Sequence, residues 1–433
     1  MIHRIATLLI ACMGCARAQE PPQEMEPWNL HGQTTFVVQG HGAFDSPYAG
    51  PNSFQSRKET RSSFTSTLFM GWRPWSGGEL YLNPELSAGT GVSHVLGLAG
   101  APNGEIYRVD SPQLTLSLAR IFLRQTWRLG GGAPSTVASD QNQLAGHQSS
   151  RRMVLTAGRF STMDVFDLNA YAHDPRTQFL NWALMGSAAW DYPADTRGYT
   201  WGFAFEFYWD AWAMRLGSFM EPKEANQLDF DHQIGRAHGD VLELEHDHQL
   251  GGLAGKVRIL AFANHARMGN YRLALEDTPP DVVATRAPGR TKYGWAFNME
   301  QAITGDLGTF ARYSWNDGAT ETWAFTEIDR SLSLGFQVTG RVWGRSTDRA
   351  SLAFVSNGLS RDHADYLRSG GFGFLLGDGR LNEGGERILE AYYSAQMGSN
   401  LSLSLDAQRV WNPGYNRDRG PVNIFALRFH ASF

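Results

Sequence analysis

The chain has 433 residues, of which 42% are hydrophobic, 12% aromatic and 19% charged, with a net charge of −5. That acidic balance argues against nucleic-acid binding. After the N-terminus no stretch holds the roughly 18 consecutive apolar residues that a membrane helix needs.

The first element is an address. His3 and Arg4 precede the apolar run Ile5 to Ala11, and Ala16-Arg17-Ala18 places small residues before Gln19. This is the layout of a cleaved secretory signal peptide over residues 1–18. Leu9-Ile10-Ala11-Cys12 also has the form of a lipoprotein box, but it would leave a very short signal. Cleavage after Ala18 removes both cysteines, Cys12 and Cys15, so no disulfide is expected in residues 19–433. Loss of Arg4 and Arg17 leaves 36 basic against 43 acidic side chains, a net −7. Only Lys58, Lys223, Lys256 and Lys292 are lysines. A GC-rich base composition is the favoured cause of that bias, and arginine also suits a wet, hydrogen-bonding wall.

Period-two alternation then runs from end to end. In Leu118 to Thr126, Arg120 and Arg124 share one parity. Trp201, Phe203, Phe205, Phe207 and Trp209 alternate with small and polar residues. So do Trp212, Met214 and Leu216; Tyr293, Trp295, Phe297 and Met299; Leu332, Leu334, Phe336 and Val338; and Leu401, Leu403 and Leu405. The last stretch, Val422 to Phe433, puts Phe425, Leu427, Phe429, Ala431 and Phe433 on one face. Side chains alternate faces along a strand, so each stretch is a strand with one apolar and one polar face.

A soluble sandwich would bury the apolar faces against each other. A transmembrane barrel would turn them to lipid and its polar faces to a lumen. Export, the negative mean hydropathy of −0.34 and tryptophans at strand ends (Trp72, Trp127, Trp209, Trp315, Trp343, Trp411) favour the barrel. At roughly 22 to 28 residues per strand with its connection, about 16 antiparallel strands are expected, with 18 as the alternative. The final strand should seal against a first strand near His31 to Gln39. Residues 19–433 read as one all-β domain with no linker.

Ser161 to Arg197 breaks the rhythm. It is too long for a tight turn and too aromatic for an exposed loop, so it is expected to fold into the barrel and narrow it. Thr177 to Ala189 could form a short helix. No G-x-S-x-G elbow or H-E-x-x-H helix occurs, and no enzyme activity is expected. His232, His238, His246 and His248 cluster in sequence, but polar histidines on a strand end explain them better than a metal site does. No cofactor is expected.

Three blocks carry a family resemblance. The first is G-G-E-L-Y-L-N-P-E-L from Gly77 with A-G-A-P-N-G-E from Ala99. The second is A-G-R-F-S-T-M-D-V-F-D from Ala157, with D-P-R-T-Q-F-L-N-W-A-L from Asp174 and R-G-Y-T-W-G from Arg197. The third is N-P-G-Y-N-R-D-R-G-P from Asn412. W-N-L-H-G-Q from Trp28 fits as well. Here the chain resembles the carbohydrate-selective porins, the OprB family, over nearly its whole length. The resemblance implies a 16-stranded barrel in the outer membrane of a Gram-negative bacterium that passes small sugars by diffusion.

A sugar path needs ring faces and rigid donors and acceptors that release the sugar again. The inward loop offers Asp164, Asp167, Asn169, Asp174, Arg176, Asn181, Asp191 and Arg197, with rings at Phe166, Tyr171, Trp182, Trp190 and Tyr192. Phe179, Leu180 and Trp182 are expected to wedge the loop against the wall, and Trp190 and Asp191 to line the path. Arg120, Arg124 and Arg159 should face the loop from the wall, with Arg215, Arg258, Arg312 and Arg428 on other polar parities. Glu79, Asn83 and Glu85 are expected to answer them, leaving a locally positive narrowing. The expected partners are small carbohydrates and outer-membrane lipid, with the chain a monomer or homotrimer. A channel exporting a secreted polysaccharide needs a similar lumen and is the alternative function.

Overall fold

The computed structural model describes residues 25–108 and 110–433; the expected signal peptide lies outside them. The strands are β1 (Trp28–His41), β2 (Glu59–Trp75), β3 (Gly78–Gly89), β4 (Ser111–Arg128), β5 (Pro134–Val137), β6 (Gly146–Ser149), β7 (Arg151–Phe160), β8 (Thr200–Trp209) and β9 (Trp212–Met220). They continue as β10 (His238–Leu250), β11 (Leu253–Ala266), β12 (Arg290–Ala302), β13 (Leu307–Asn316), β14 (Arg330–Thr339), β15 (Arg349–Gly358), β16 (Glu386–Gln396), β17 (Leu401–Trp411) and β18 (Val422–Ser432). Sixteen of them close an antiparallel barrel, and β5 and β6 form a separate hairpin. Among the described residues no helix is long and apolar enough to cross a membrane.

Barrel strands pair in chain order, except that β4 skips the β5–β6 hairpin to pair with β7 and β1 closes against β18, so local alternation sets most of the register. The barrel seals where β1 meets β18, with Gln33 opposite Ser432 and His41 opposite Ile424. Gly32 and Phe433 exchange both backbone hydrogen bonds, at 3.1 and 3.0 Å. A Cβ on Gly32 would lie 2.5 Å from the Phe433 ring. A side chain at residue 32 would require the terminal ring to turn away.

Two connections show how tight turns are made. Asp210 (φ 54°) and Ala211 join β8 to β9, with Trp209 opposite Trp212. Gly251 and Gly252, at φ 60° and 80°, join β10 to β11. The second turn takes positive φ at both central residues, which glycine adopts without a steric penalty, whereas the first takes it at Asp210 alone.

Short connections gather at the end that holds Trp28 and Phe433, and long ones at the other. Outer-membrane barrels keep short turns at the periplasm and long loops outside, which orients the molecule. One periplasmic connection is long: residues 129–150, carrying β5 and β6. The alternation now has a physical reading. On β14, Leu332, Leu334 and Phe336 are 41%, 47% and 42% exposed, whereas Ser331, Ser333 and Gln337 are at most 8% exposed. The bare leucines and phenylalanine are the lipid face. Trp28, Trp72, Trp127 and Trp209 stand exposed on the periplasmic side.

The lumen is more filled than one inward loop would leave it. Besides residues 161–199, apolar side chains of residues 92–106, 325–328 and 359–381 pack into one interior cluster against the wall. The helix expected over Thr177 to Ala189 is only one turn, α1 (Trp182–Met185), whose Asn181 side chain accepts Ala183 N–H. Two further helices lie in outer loops, α2 (Tyr271–Ala274) and α3 (Arg361–Arg368).

Candidate functional site

A cavity of 1160 Å³ lies along the wall of β2, β3, β4, β7 and β8. Its lining runs from Arg73, Gln125 and Arg128 near the periplasmic ends to Thr196, Arg197 and Asn226 in the outer loops. Alternation on β4 puts Arg120, Phe122 and Arg124 inward, while Ile121 faces lipid at 41% exposure.

Arg120 reaches the start of the inward loop. Its Nε and Nη2 donate to Asp164 Oδ2 and Oδ1 at 2.7 and 2.6 Å, a bidentate pair. Ser161 and Asp164 close a capping box around the turn Thr162–Asp164, so the local sequence S-T-M-D presents the carboxylate. The Tyr199 ring lies 5.0 Å from the Arg120 guanidinium. Burial pushes the Asp164 carboxyl up, but the Arg120 charge and hydrogen bonds outweigh it and hold it below the usual range.

Arg176 faces the same space. It contacts Glu105 at 3.1 Å and Glu85 at 3.3 Å. Burial works against its charge, yet the two carboxylates raise its pKa well above the ordinary arginine value. Glu85 is fully buried behind it and also accepts from Thr67 at 2.8 Å, Tyr107 at 2.6 Å and Tyr199 at 3.2 Å. Arg124 donates to the Asn142 carbonyl at 2.9 Å and lies 3.9 Å from Glu79. Glu79 is held by Arg73 at 2.7 Å.

Rings complete the wall. Trp182 stacks on Phe325 with centroids 5.7 Å apart and planes at 19°, and Tyr192 meets Phe325 at 4.5 Å. All three line the cavity. Trp182 Nε1 donates to the Asn103 carbonyl at 2.9 Å, so this ring both wedges the loop and borders the space.

Of the expected site residues, Glu79, Arg120, Arg124, Asp164, Arg176 and Arg197 line the cavity together. The others are placed elsewhere. Arg159 lies on the outward parity opposite Trp201 and binds Asp195 at 2.6 Å and the Leu118 carbonyl at 3.0 Å. It ties the loop end to the rim, because β7 stops there and leaves β4 unpaired above Arg120. Asp167 accepts from Asn298 at 2.6 Å and from Ser187. Asn169 donates to Asn298 at 2.8 Å. Both fasten the loop to the far wall. Trp190 is wholly buried. Asp191 accepts the backbone N–H groups of Trp323, Ala324 and Phe325 at 2.7 to 3.0 Å. Asn83 is buried and donates to Asn142 at 2.9 Å. Glu85 sits one layer behind the surface. These seven fasten the loop and wall around the cavity and do not line it.

The expected positive narrowing is also revised. Arg120 and Arg176 are neutralised by carboxylates at the loop. Arg215, Arg258 and Arg312 are likewise taken up by Glu243, Glu245, Glu300 and Asp167, and Arg428 by the carbonyls of Pro175 and Gln178. Arg128, Arg152 and Arg197 have no carboxylate within 4.0 Å among the described residues, and they stand toward the two mouths.

Sequence reading missed Arg73, Arg128, Arg152, Glu105, Tyr199 and Phe325 as lining residues. Glu105 stood in the block A-G-A-P-N-G-E, and Arg73 stood on the inner parity beside Trp72, so both had a signal. Phe325 had none, because residues 317–329 show no period and are held inward by long-range contacts, among them those of Asp191 with Trp323 to Phe325 and of Thr326 with the Ala188 carbonyl.

The OprB sequence model, described as carbohydrate-selective porin, OprB family, matches residues 71–433. The chain belongs to that family. Among solved structures, OprB of Pseudomonas putida at high pH matches with a TM-score of 0.72 and 15% identity over 94% of each chain. The channel DcaP of Acinetobacter baumannii matches at 0.52 and 10%, over 94% of this chain and 97% of that one. OmpF of Salmonella typhi matches at 0.51 and 11%, over 94% and 98%. These likenesses bear on the fold. No curated protein matches the sequence. The molecule is an outer-membrane porin of a Gram-negative bacterium, and its outward leucines and phenylalanines face the bilayer.

Proposed function

We propose that this porin passes small neutral sugars by passive diffusion, and that the cavity beside Arg120, Arg124 and Arg176 is their path. One observation carries the reading. Paired charges (Arg120 with Asp164, Arg176 with Glu105) stand in the same cavity as the ring surfaces of Trp182, Tyr192 and Phe325. A paired ion offers donors and acceptors without a net field. A ring face takes the apolar side of a pyranose. Together they replace sugar hydration while leaving exit open, as conduction requires.

The test is liposome swelling with purified protein in a series of neutral sugars, matched sugar acids and amino sugars. Neutral monosaccharides should enter faster than charged analogues of the same size, and disaccharides more slowly. Equal rates for neutral and charged solutes of one size would remove the sugar preference and leave a general porin. Rates that stay high for long oligosaccharides would favour polysaccharide export.

A further inference from the structure

The outer surface of β14 to β17 carries arginines where the barrel meets the outer leaflet. Arg330 stands directly opposite Trp315, and Arg387 directly opposite Trp411. Arg409 lies diagonal to Arg387 across the β16–β17 ladder, and its guanidinium is 5.3 Å from the Trp411 ring. Arg330, Arg387 and Arg409 are all exposed. Interfacial tryptophans mark headgroup level, so the guanidinium groups are at that height.

No carboxylate lies within 4.0 Å of any of the three among the described residues. The acidic residues beside them in sequence turn inward. Asp329 is 1% exposed and accepts Ser360 N–H, and Glu386 is 0% exposed and accepts Ala99 and Gly100 N–H. Arg409 has one neutral partner, Asn423, at 3.1 Å.

The surface between them is low. β15 separates Arg330 from Arg387 and presents Gly358 opposite the first and Ser356 opposite the second. The Arg330 side chain lies across Gly358, where an added Cβ would come within 2.5 Å of its Nε. Arg330 on β14 and Arg387 on β16 are two strand spacings apart and offset by two residues, roughly 12 Å between backbones, and Arg409 lies one strand further on, on β17. Two anionic groups on one small headgroup span that distance.

We propose that Arg330, Arg387 and Arg409 form a binding site for an outer-leaflet lipid whose sugar headgroup carries two phosphates. Arginine presents a planar fork that matches phosphate oxygens, Trp315 and Trp411 flank the headgroup, and the leucines below receive the acyl chains. The site is on the outer wall and is independent of the solute path.

The test titrates folded, detergent-solubilised protein with lipopolysaccharide and with its enzymatically dephosphorylated form, read by native mass spectrometry. One saturable site is expected for the first and at least tenfold weaker binding for the second. The variant carrying Arg330→Gln, Arg387→Gln and Arg409→Gln should bind roughly a hundredfold more weakly, from about fivefold per arginine. Arg341→Gln, on a periplasmic turn, should bind like wild type. Equal binding of both lipid forms, or a triple variant that binds like wild type, overturns the proposal. Saturable binding of inorganic phosphate alone at these arginines would assign the site to a free anion and overturn the lipid assignment. If the triple variant does not fold, Arg387→Gln alone should still weaken lipopolysaccharide binding about fivefold; an unchanged affinity sinks the idea.

Discussion

Arg120 on β4 grips Asp164 at the start of the inward loop through two hydrogen bonds of 2.7 and 2.6 Å. The pair sets both the position of the loop and the charge at the narrowing. Arg120→Ala therefore does two things at once. It opens space, and it leaves the Asp164 carboxylate without its partner. Conductance should rise and selectivity should move toward cations. Arg120→Ala with Asp164→Ala should raise conductance with little change of selectivity. Planar-bilayer reversal potentials separate the two. The Asp164 carboxyl is held low, so the pair's contribution is complete above the ordinary carboxylate range, about 3.9. It is lost as pH falls through the lowered folded value. Selectivity should accordingly be flat through neutral pH.

Asp191 holds a second loop in place. Its carboxylate accepts three consecutive backbone N–H groups, Trp323 to Phe325, and lies 3.5 Å from Lys292 Nζ. Asp191→Ala leaves buried donors and a buried ammonium unpaired, a loss of about 3 to 5 kcal/mol. The temperature at which the folded band disappears in gel-shift assays should fall. Phe325 should lose its place in the cavity, so sugar flux should change although residue 191 never touches solute.

The lipid face tolerates charge poorly. Leu334, midway along β14, points outward at 47% exposure. Leu334→Arg should destabilise the barrel by about 2–4 kcal/mol. Thr126→Arg, on the inner face of β4 beside the open cavity, should spare insertion into lipid. Folded yield in vesicles compares the two directly.

Closure depends on the Gly32–Phe433 contact. Gly32→Val puts a side chain into the Phe433 ring, and deletion of Phe433 removes two backbone hydrogen bonds at the seam. Both should lower the heat-modifiable, folded fraction in the outer membrane while export continues. Normal folded levels in both variants would count against this seam.

The barrel was legible because its code is local. Parity in β8, β12, β14, β17 and β18 states which side meets lipid, and sequential pairing turns that local pattern into the whole fold. The lumen was only half legible. Arg120 and Arg124 could be assigned from parity, and Asp164 and Arg176 from the broken rhythm of their loop. Arg159 shares its parity with Met153 and Leu155 on the outward face of β7, a signal the alternation carried but the sequence reading did not use, and its side chain turns to the loop end instead. Trp190 and Asp191 look the same in sequence as Trp182 and Asp164. Which pair borders open space depends on where residues 317–329 fold, and that segment carries no period.

The central claim is that sugars travel beside Arg120, Arg176 and Trp182. Sugar-induced block of the ion current through single channels tests it most directly. Wild-type protein should show concentration-dependent, saturable block by a neutral hexose. Trp182→Phe should bind the sugar at least as an apolar ring does, so block should weaken modestly, and Trp182→Ala should weaken it several-fold. Arg417→Ala, in the final outer connection, should block like wild type. Block that is identical in wild type, Trp182→Ala and the Arg120→Ala, Arg124→Ala double variant would contradict the account and place the sugar path elsewhere in the barrel.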